Sequence, residues 1–245
     1  FDRAAYEADL IVPINRVKLH TDFVGPIQSG LCKMLVIGLG NHKGCSAVHE
    51  EAPEVFAGAI EETARLILQK APVGFGIAIL ENAYDKTYAV EAVPAEHLVE
   101  REKELVQIAK GNMPYIMLDE ADVIVCGAIG KDISGAGFDP NILGRSSVLK
   151  QFVLHIPRYQ RLVLCDVTPA SHGNGIGVGL FDVITKKVAE QLDLESMYAN
   201  AIACNCLGDA SVPCTVDDEE TAIRVALKCC RNIDRDHPRI IRIQN

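Results

Sequence analysis

The segment Ala121–Ala128, ADVIVCGA, decides the fold class, because it is a short apolar run rich in β-branched residues that ends at a glycine turn. The same pattern occurs in Arg161–Val167, RLVLCDV, and in Ala8–Asn15, ADLIVPIN. Continuous apolar runs of this length are typical of strands that are buried on both faces of a parallel sheet. We therefore expect three strands of one sheet, each followed by a polar, Gly-containing loop.

Helical patterns lie between these strands. A helix is predicted over Pro53–Lys70, with Pro53 in its first turn and one apolar face formed by Phe56, Ile60, Ala64 and Ile67. The same spacing recurs after the third strand and predicts a second helix, with a face formed by Phe181, Ile184, Val188 and Leu192. Asp217 and Glu220 have the spacing of a capping pair and predict the start of a third helix.

Two further strand patterns complete the outline. Residues 75–90 alternate around a polar turn and predict an inserted β-hairpin, and residues 239–245, RIIRIQN, predict a last strand. Strands that alternate with helices indicate an α/β fold with a mainly parallel sheet flanked by helices. No linker interrupts residues 1–245, so we expect a single α/β domain.

Composition narrows the function classes. The chain has 245 residues, a formal net charge of −9 and 49% hydrophobic residues, and it has no basic stripe that would bind nucleic acid. Its apolar runs are much shorter than the roughly 18 residues that cross a bilayer. The charged N-terminal residues do not form a signal peptide, and a start at Phe1 predicts that residues precede this segment. We expect neither a nucleic acid nor a membrane as partner.

The cysteines favour a reducing compartment. The nine cysteines are an odd number and lie mostly in apolar segments, which is typical of buried thiols in a cytoplasmic protein. Cys204 and Cys206 form a tight pair, but no second pair follows at the spacing of a structural zinc site. The sequence predicts a cytoplasmic protein without disulfides.

Ligands of open α/β sheets bind beyond the carboxyl ends of the strands. The loops that follow the three predicted strands carry His20, Lys33, Lys131 and His172. These four side chains are therefore predicted to converge on one crevice that is rich in His and Lys.

Lys33 interrupts an apolar segment, SGLCKMLVIGLG, at residues 29–40. A buried ammonium ion is unfavourable unless it is paired, neutralised or covalently used, so Lys33 is a candidate for a functional role. The alternative is a lysine whose ammonium reaches water along an apolar face. Gly30, three residues earlier, would let a ligand approach the backbone closely.

The histidines each have two interpretations. His20 has the residue type of a general base or metal ligand, or it packs a turn by hydrogen bonding near Asp22. His49, with His42 and Cys45 nearby, is a candidate metal ligand, although its surroundings also fit a surface histidine among carboxylates.

Two Gly-rich loops offer anion sites. Lys131 begins a loop that ends at Arg145, and glycine amides with two cations would hold a carboxylate or phosphate. His172 opens HGNGIGVG, which suits phosphate binding at a helix N-terminus. Structural packing is the alternative for both loops.

Residues 15–49, NRVKLHTDFVGPIQSGLCKMLVIGLGNHKGCSAVH, resemble the catalytic-domain segment of the nickel-dependent lactate racemase family. The resemblance implies that Lys33, preceded by Gly30, carries a nickel-pincer nucleotide. It implies that His49 is the nickel ligand and that His20 is one of two catalytic histidines. It further implies that this chain is a segment of a longer two-domain architecture, whose N-terminal portion would supply the other histidine.

The segment that begins at Lys131 is similar to the family's substrate-carboxylate lysine region. The implied reaction is racemisation or epimerisation of a 2-hydroxy acid, in which hydride passes to the cofactor and back to the other face of the carbon. The segment SHGNGIGVGLFD at residues 171–182 is similar to a divergent branch of the family, which gives His172 no defined role. His172 and Arg145, at the end of the Lys131 loop, are additional candidates. A homo-oligomer is compatible with the sequence.

Two other function classes stay open from the sequence. A non-catalytic protein on the same scaffold would bind a nucleotide or carboxylate in the crevice. A zinc-type metallohydrolase would use His20, His49 and His172 with a divalent ion.

Overall fold

The structure is a computed structural model that describes residues 1–49 and 52–244, without the side chains of His42, Cys45, His49 and Pro53. The chain forms two compact units, Phe1–Pro114 and Tyr115–Asn245, and each unit is described by itself. The expectation of a single domain stays a prediction. Within the described residues, no helix combines the length and apolar character that crossing a bilayer requires.

The first unit contains helices and a small sheet. The helices are α1 (Arg3–Tyr6), α2 (Leu31–Lys33), α3 (Asn41–His49), α4 (Pro53–Lys70) and α5 (Leu98–Asn112), with a π-helical segment at Met34–Gly38 and a 3₁₀ turn at Ala95–His97. The strands are β1 (Ile14–Arg16), β2 (Phe75–Glu81) and β3 (Thr87–Pro94).

The sheet of the first unit has the order β1-β2-β3. Strands β2 and β3 are antiparallel, which confirms the predicted hairpin, and β1 lies parallel to β2 with Ile14 opposite Ile77. The strand expected over residues 8–15 is shortened because Pro13 has no N–H to donate, although its carbonyl accepts from the N–H of Ile77 at 2.8 Å. Because β1 belongs to this smaller sheet, the expectation that all three apolar runs share one sheet is wrong.

Helix α4 has the predicted bounds, Pro53–Lys70. Its apolar face is buried at Phe56, Ile60 and Ala64, which pack into the core of this unit. The 3.6-residue period was a sufficient guide here because only one face of the helix contacts the protein.

The second unit contains a larger sheet. Its strands are β4 (Val123–Cys126), β5 (Arg161–Leu164), β6 (Val183–Thr185), β7 (Cys214–Val216) and β8 (Ile240–Ile243). Its helices are α6 (Pro140–Leu143), α7 (Lys186–Gln191), α8 (Leu194–Ala203) and α9 (Glu219–Lys228), with 3₁₀ turns at Pro169–Ser171, Val178–Leu180 and Leu207–Ala210.

All five strands run parallel in the order β7-β6-β5-β4-β8. Val123, Val125 and Val163 face α9, where Ala222 and Ala226 allow close packing. The opposite face packs on α7, α8 and the loops that precede them, through Ile124, Leu162, Leu164, Val188 and Met197. A parallel sheet covered on both faces confirms the α/β class, including the strands predicted at residues 121–128, 161–167 and 239–245.

Two helix predictions in this unit need correction. The face that begins at Phe181 does not form one helix, because residues 183–185 form the buried strand β6 between β5 and β7. Helix α7 begins only at Lys186. The cap of α9 is Asp218, which accepts from the N–H of Thr221, rather than the pair Asp217 and Glu220. At residues 183–185 a short buried stretch satisfied the helical spacing by coincidence, whereas at α9 the predicted helix start is displaced by one residue.

Candidate functional site

Lys33 lies in the wall of a cleft of about 310 Å³ in the first unit. The side chain is partly buried, and the cleft is lined by Asn15, Arg16, Lys18, Ser29, Lys33, Met34, Ile37 and Gly38. The apolar residues around Lys33 suggest a buried lysine, but the structure does not enclose Lys33 in the apolar core. It is accessible to a ligand.

Backbone pairing brings the parts of this cleft together. The N–H of Lys18 donates to the carbonyl of Ser29 at 2.9 Å, and the N–H of Ser29 donates back to the carbonyl of Lys18 at 3.2 Å. The amide of Asn15 donates to the carbonyl of Gly30 at 2.9 Å. These bonds attach the start of α2 to the segment that carries Arg16 and Lys18.

The wall around Lys33 is a π-helical turn. Residues 34–38 are π-helical, and the N–H of Leu39 donates to the carbonyl of Met34 at 3.0 Å. Leu31, Cys32, Leu35 and Val36 are buried on the core side, whereas Lys33, Met34 and Ile37 line the cleft. Isolated π-helical turns occur frequently at functional sites, so this wall is an independent indication of one.

A carboxyl group lies under the start of α2. Glu102 of α5 is 0% exposed, and its Oε2 accepts from the N–H of Cys32 at 2.9 Å. Burial raises the pKa of Glu102 to about 7, against the opposing effect of hydrogen bonds from the N–H groups of Cys32 and Leu31. Burial, with the added effect of this carboxylate, also raises the pKa of the Cys32 thiol.

The cleft is cationic. It contains Arg16, Lys18 and Lys33, and no Asp or Glu lines it among the residues that the structure describes. Arg16 also forms an ion pair with Glu81 at 3.2 Å, and its side chain is 55% exposed. Three cations with the amide of Asn15 and the hydroxyl of Ser29 are suited to an anionic group such as phosphate or carboxylate.

His20 lies two residues beyond Lys18, and its ring is held by local contacts. The N–H of Asp22 donates to Nδ1 of His20 at 3.1 Å, and the ring stacks on Phe23 with centroids 4.3 Å apart. The backbone N–H of His20 donates to Oε1 of Gln28 at 2.8 Å. Because Nδ1 accepts a hydrogen bond, the neutral ring in this arrangement carries its proton on Nε2. These contacts match the turn-packing interpretation of His20.

The cofactor implied by the resemblance fits the cleft in part. Lys33 is accessible for a covalent link, and Arg16 and Lys18 suit the phosphate of a nucleotide. The predicted nickel ligand, His49, lies in α3, and its side chain is outside the described residues, as are those of His42 and Cys45. Among the side chains that are described, no cluster of three or more His, Cys, Asp or Glu is arranged to hold a metal ion.

Lys131 lies in the second unit and contacts its own loop. Its Nζ donates to the carbonyl of Gly135 at 2.6 Å, and its N–H donates to Oγ of Ser171 at 2.8 Å. Ser171 directly precedes His172, so the two loops are in contact. The convergence of His20, Lys33, Lys131 and His172 on one crevice stays a prediction. His172 is exposed and ends a 3₁₀ turn with a φ of 48°.

The glycines of these loops serve packing. A Cβ on Gly137 would lie 2.1 Å from the carbonyl oxygen of Ile176, and one on Gly177 would lie 2.3 Å from that of Ala136. Both have positive φ, of 88° and 94°, which favours glycine. The chain then enters β6 rather than a helix, which removes the basis for phosphate binding at a helix N-terminus.

Arg145 has structural partners. Its guanidinium donates to the carbonyl of Leu180 at 2.8 Å, pairs with Asp182 at 2.7 Å, and lies over the ring of Tyr159. These contacts connect the loop to the start of β5 and the entry to β6. The predicted anion-binding role of Arg145 stays a prediction.

A second cleft of about 310 Å³ lies at the carboxyl end of the five-stranded sheet. It is located where β5 and β8 flank β4, the position at which the strand order reverses. Its lining residues are Gly127, Ala128, Asp132, Ile133, Asp166, Thr168, Arg242 and Gln244. Asp166 pairs with Lys187, Arg242 with Glu219, and Asp132 accepts from Thr168, so these charges and hydrogen bonds are compensated locally.

Comparison with known proteins adds no family. The chain matches none of the protein-family models. A search of curated proteins finds no significant match either.

Proposed function

We propose that this chain is part of a racemase or epimerase of 2-hydroxy acids that carries a nickel-pincer nucleotide on Lys33. The observation that supports this proposal is the position of Lys33 in an accessible cleft beside Arg16 and Lys18. An amine that carries a nucleotide must be reachable by it, and the nucleotide's phosphate needs cationic neighbours. The resemblance of residues 15–49 to the lactate racemase family supplies the rest of the proposal.

The residues of this chain would have separate tasks. Lys33 would hold the cofactor, while Arg16, Lys18 and the hydroxyl of Ser29 would bind anionic oxygens. When bound, the cofactor supplies the hydride acceptor, and the protein supplies orientation and proton transfer.

His20 is the proposed proton-transfer group, and its contacts set a condition. With Nδ1 accepting from the N–H of Asp22, the neutral ring has its proton on Nε2. To accept a substrate proton at Nε2, the ring must first move its own proton to Nδ1, which requires the contact with Asp22 to open.

The test is the intact mass and nickel content of the protein purified from its own organism. We expect a mass excess of one nucleotide-sized group on Lys33 and about one nickel per chain. Lys33→Ala should lose the added mass, the nickel and the racemisation of 2-hydroxy acids together. Lys86→Ala, in the exposed hairpin turn, is the matched control and should retain all three. Retention of nickel and activity by Lys33→Ala would contradict the proposal.

A second candidate is a non-catalytic protein that binds an anionic ligand in the same cleft. The contacts of His20 favour it, because Nδ1 is occupied by a backbone N–H and the ring packs on Phe23. This candidate predicts an unmodified Lys33 and binding of AMP that falls when Arg16 and Lys18 are both replaced by Ala. Titration calorimetry at low and high salt would measure it, since an electrostatic site weakens with salt. Unchanged AMP binding in the double variant would contradict this candidate.

A further inference from the structure

The turn that presents Lys33 to the cleft is held from below by a residue that is distant in sequence. Glu102 lies on α5, and its carboxyl is enclosed against the first turn of α2. Oε2 accepts from the N–H of Cys32, the residue directly before Lys33, at 2.9 Å. The N–H groups of a first helical turn have no partner within the helix, so this carboxyl satisfies a donor that would otherwise be buried without one.

The glycine before this turn fits the same arrangement. A Cβ on Gly30 would lie 2.6 Å from both Cδ and Oε1 of Glu102. The φ of Gly30 is 179°, an extended conformation that any residue adopts, so the backbone does not require glycine here. Glycine is required here because the Glu102 carboxyl occupies the space that a Cβ would take.

The second carboxyl oxygen of Glu102 is buried at a cost in free energy, so apolar packing alone does not account for a carboxyl at this position. Oε1 of Glu102 is buried, and it has no hydrogen-bond partner among the residues that the structure describes. An apolar residue at this position of α5 would leave no buried oxygen, but it would leave the N–H of Cys32 without its acceptor. The carboxyl is therefore explained by the turn that it holds, which carries Lys33.

We propose that Glu102 is a positioning residue for Lys33. It fixes the Gly30–Lys33 turn so that the lysine side chain enters the cleft beside Arg16 and Lys18. This inference rests on the proposed role of Lys33, but the arrangement it describes exists in the chain before any cofactor is attached. Glu102 itself does not line the cleft and is not assigned a chemical step.

The test uses the full chain produced in a host that does not make the cofactor. Lysines are acetylated briefly with N-hydroxysuccinimidyl acetate, and peptide mass spectrometry gives the labelling rate of Lys33 relative to that of exposed Lys86. In Glu102→Ala we expect this ratio to rise about threefold or more, because an unfixed turn lets Lys33 leave its partly buried position. Amide exchange at Cys32 should accelerate by about tenfold as its acceptor is lost.

Rescue by the closest variant separates positioning from general stability. Glu102→Gln keeps an oxygen that accepts from the N–H of Cys32, so the Lys33 ratio and Cys32 exchange should stay near those of the unchanged protein. If Glu102→Ala does not fold, Glu102→Asp replaces it, because the shorter side chain withdraws the carboxyl by one methylene. A folded Ala or Asp variant with an unchanged Lys33 ratio and unchanged Cys32 exchange would overturn the proposal.

The outcome is independent of the cofactor proposal. Protein from the native organism with an unmodified Lys33 would remove the racemase assignment and leave the labelling result standing. Nickel and an added mass on Lys33 of the native protein, with an unchanged Lys33 labelling ratio in Glu102→Ala, would support the racemase proposal and overturn the positioning role of Glu102.

Discussion

Two buried carboxyl groups, one in each unit, have pKa values that are shifted in opposite directions. Glu102 of the first unit is 0% exposed, and burial raises its pKa to about 7. Asp122 of the second unit is 2% exposed, yet hydrogen bonds from Arg239 lower its pKa, with burial opposing them. Asp122 accepts from the backbone N–H of Arg239 at 2.7 Å and from its guanidinium at 3.0 Å.

The difference lies in what faces each carboxyl. Asp122 has a guanidinium as partner, so its charge is compensated and it connects β8 to the start of β4. Glu102 receives two backbone N–H groups and the thiol of Cys32, which together compensate burial only in part. The paired carboxylate of Asp122 has a structural role in joining two strands. The incompletely satisfied carboxyl of Glu102 indicates a functional site nearby, here at Lys33.

The clefts of the two units repeat this contrast. The second-unit cleft contains acids and bases that pair with each other or with neighbours, as Asp166 does with Lys187. The first-unit cleft contains three cations, of which Arg16 pairs with Glu81, and no acid among its lining residues within the described chain. An excess of one charge sign in a cleft favours a ligand of the opposite sign.

The largest expected effect is the pH dependence caused by Glu102. Its pKa in the folded chain, about 7, lies above the ordinary value of 4.5, so the fold favours the protonated carboxyl. Stability should therefore fall as pH rises from about 4.5 to about 7 and stay low above it, by about 3 kcal/mol at most. Urea denaturation across this range, for the unchanged chain and Glu102→Gln, measures the difference, since Gln does not titrate. Parallel pH profiles for the two proteins would contradict the assigned shift.

Asp122→Ala should have the next largest effect. The substitution removes the acceptors of two hydrogen bonds from Arg239, so we expect the free energy of unfolding to fall by about 2 kcal/mol at neutral pH. Water can replace the acceptor of the half-exposed guanidinium, which limits the loss. Denaturation of Asp236→Ala, on an exposed turn, provides the control and should differ little from the unchanged protein. A loss below about 0.5 kcal/mol would mean that the pair is not what holds β8 to β4.

Gly30→Ala tests whether Glu102 is the reason for the glycine. Alone, the new Cβ would meet the Glu102 carboxyl and destabilise the first unit. Combined with Glu102→Ala, the space is free, and we expect a favourable coupling of about 1 kcal/mol in a double-mutant cycle. Additive losses would show that the glycine has another cause.

The smallest effect is expected at an exposed ion pair. Arg224 and Glu220 are one turn apart on α9, and both side chains are about three-quarters exposed, at 76% and 74%. Arg224→Ala should leave the denaturation midpoint unchanged within error, because solvent screens such pairs. A clear shift would mean that charge pairs at the surface of this unit matter as much as the buried one.

The elements that could be predicted are those whose pattern has one structural solution. Helix α4 has the predicted bounds because its apolar face is long and continuous. The hairpin β2–β3 and the strands β4, β5 and β8 were recognised by alternation or by continuous apolar runs. Residues 183–185 were assigned to a helix because three buried residues fit either period, and only pairing with β5 decides between them.

The candidate site was predictable to a smaller extent. Lys33 could be identified because a cation is conspicuous in an apolar segment. Arg16 and Lys18 lie in the segment that the resemblance covers, but the sequence did not single them out as candidates. Glu102 could not, because it stands among Glu100, Arg101 and Lys103 on a charged helix and nothing local distinguishes it. No pattern in the sequence of residues 34–38 predicted their π-helical conformation either.

The sequence by itself determined the fold class, the bounds of α4 and the identity of Lys33 as a residue to explain, because each follows from local periodicity or residue type. The tertiary structure decided that β1 pairs with β2 outside the large sheet, that Lys33 faces a cationic cleft, and that Glu102 is enclosed beneath it. These features depend on contacts between residues far apart in the chain, such as the 70 positions that separate Cys32 from Glu102. No local pattern encodes such contacts, since the energy of a buried carboxyl is set by the groups that surround it.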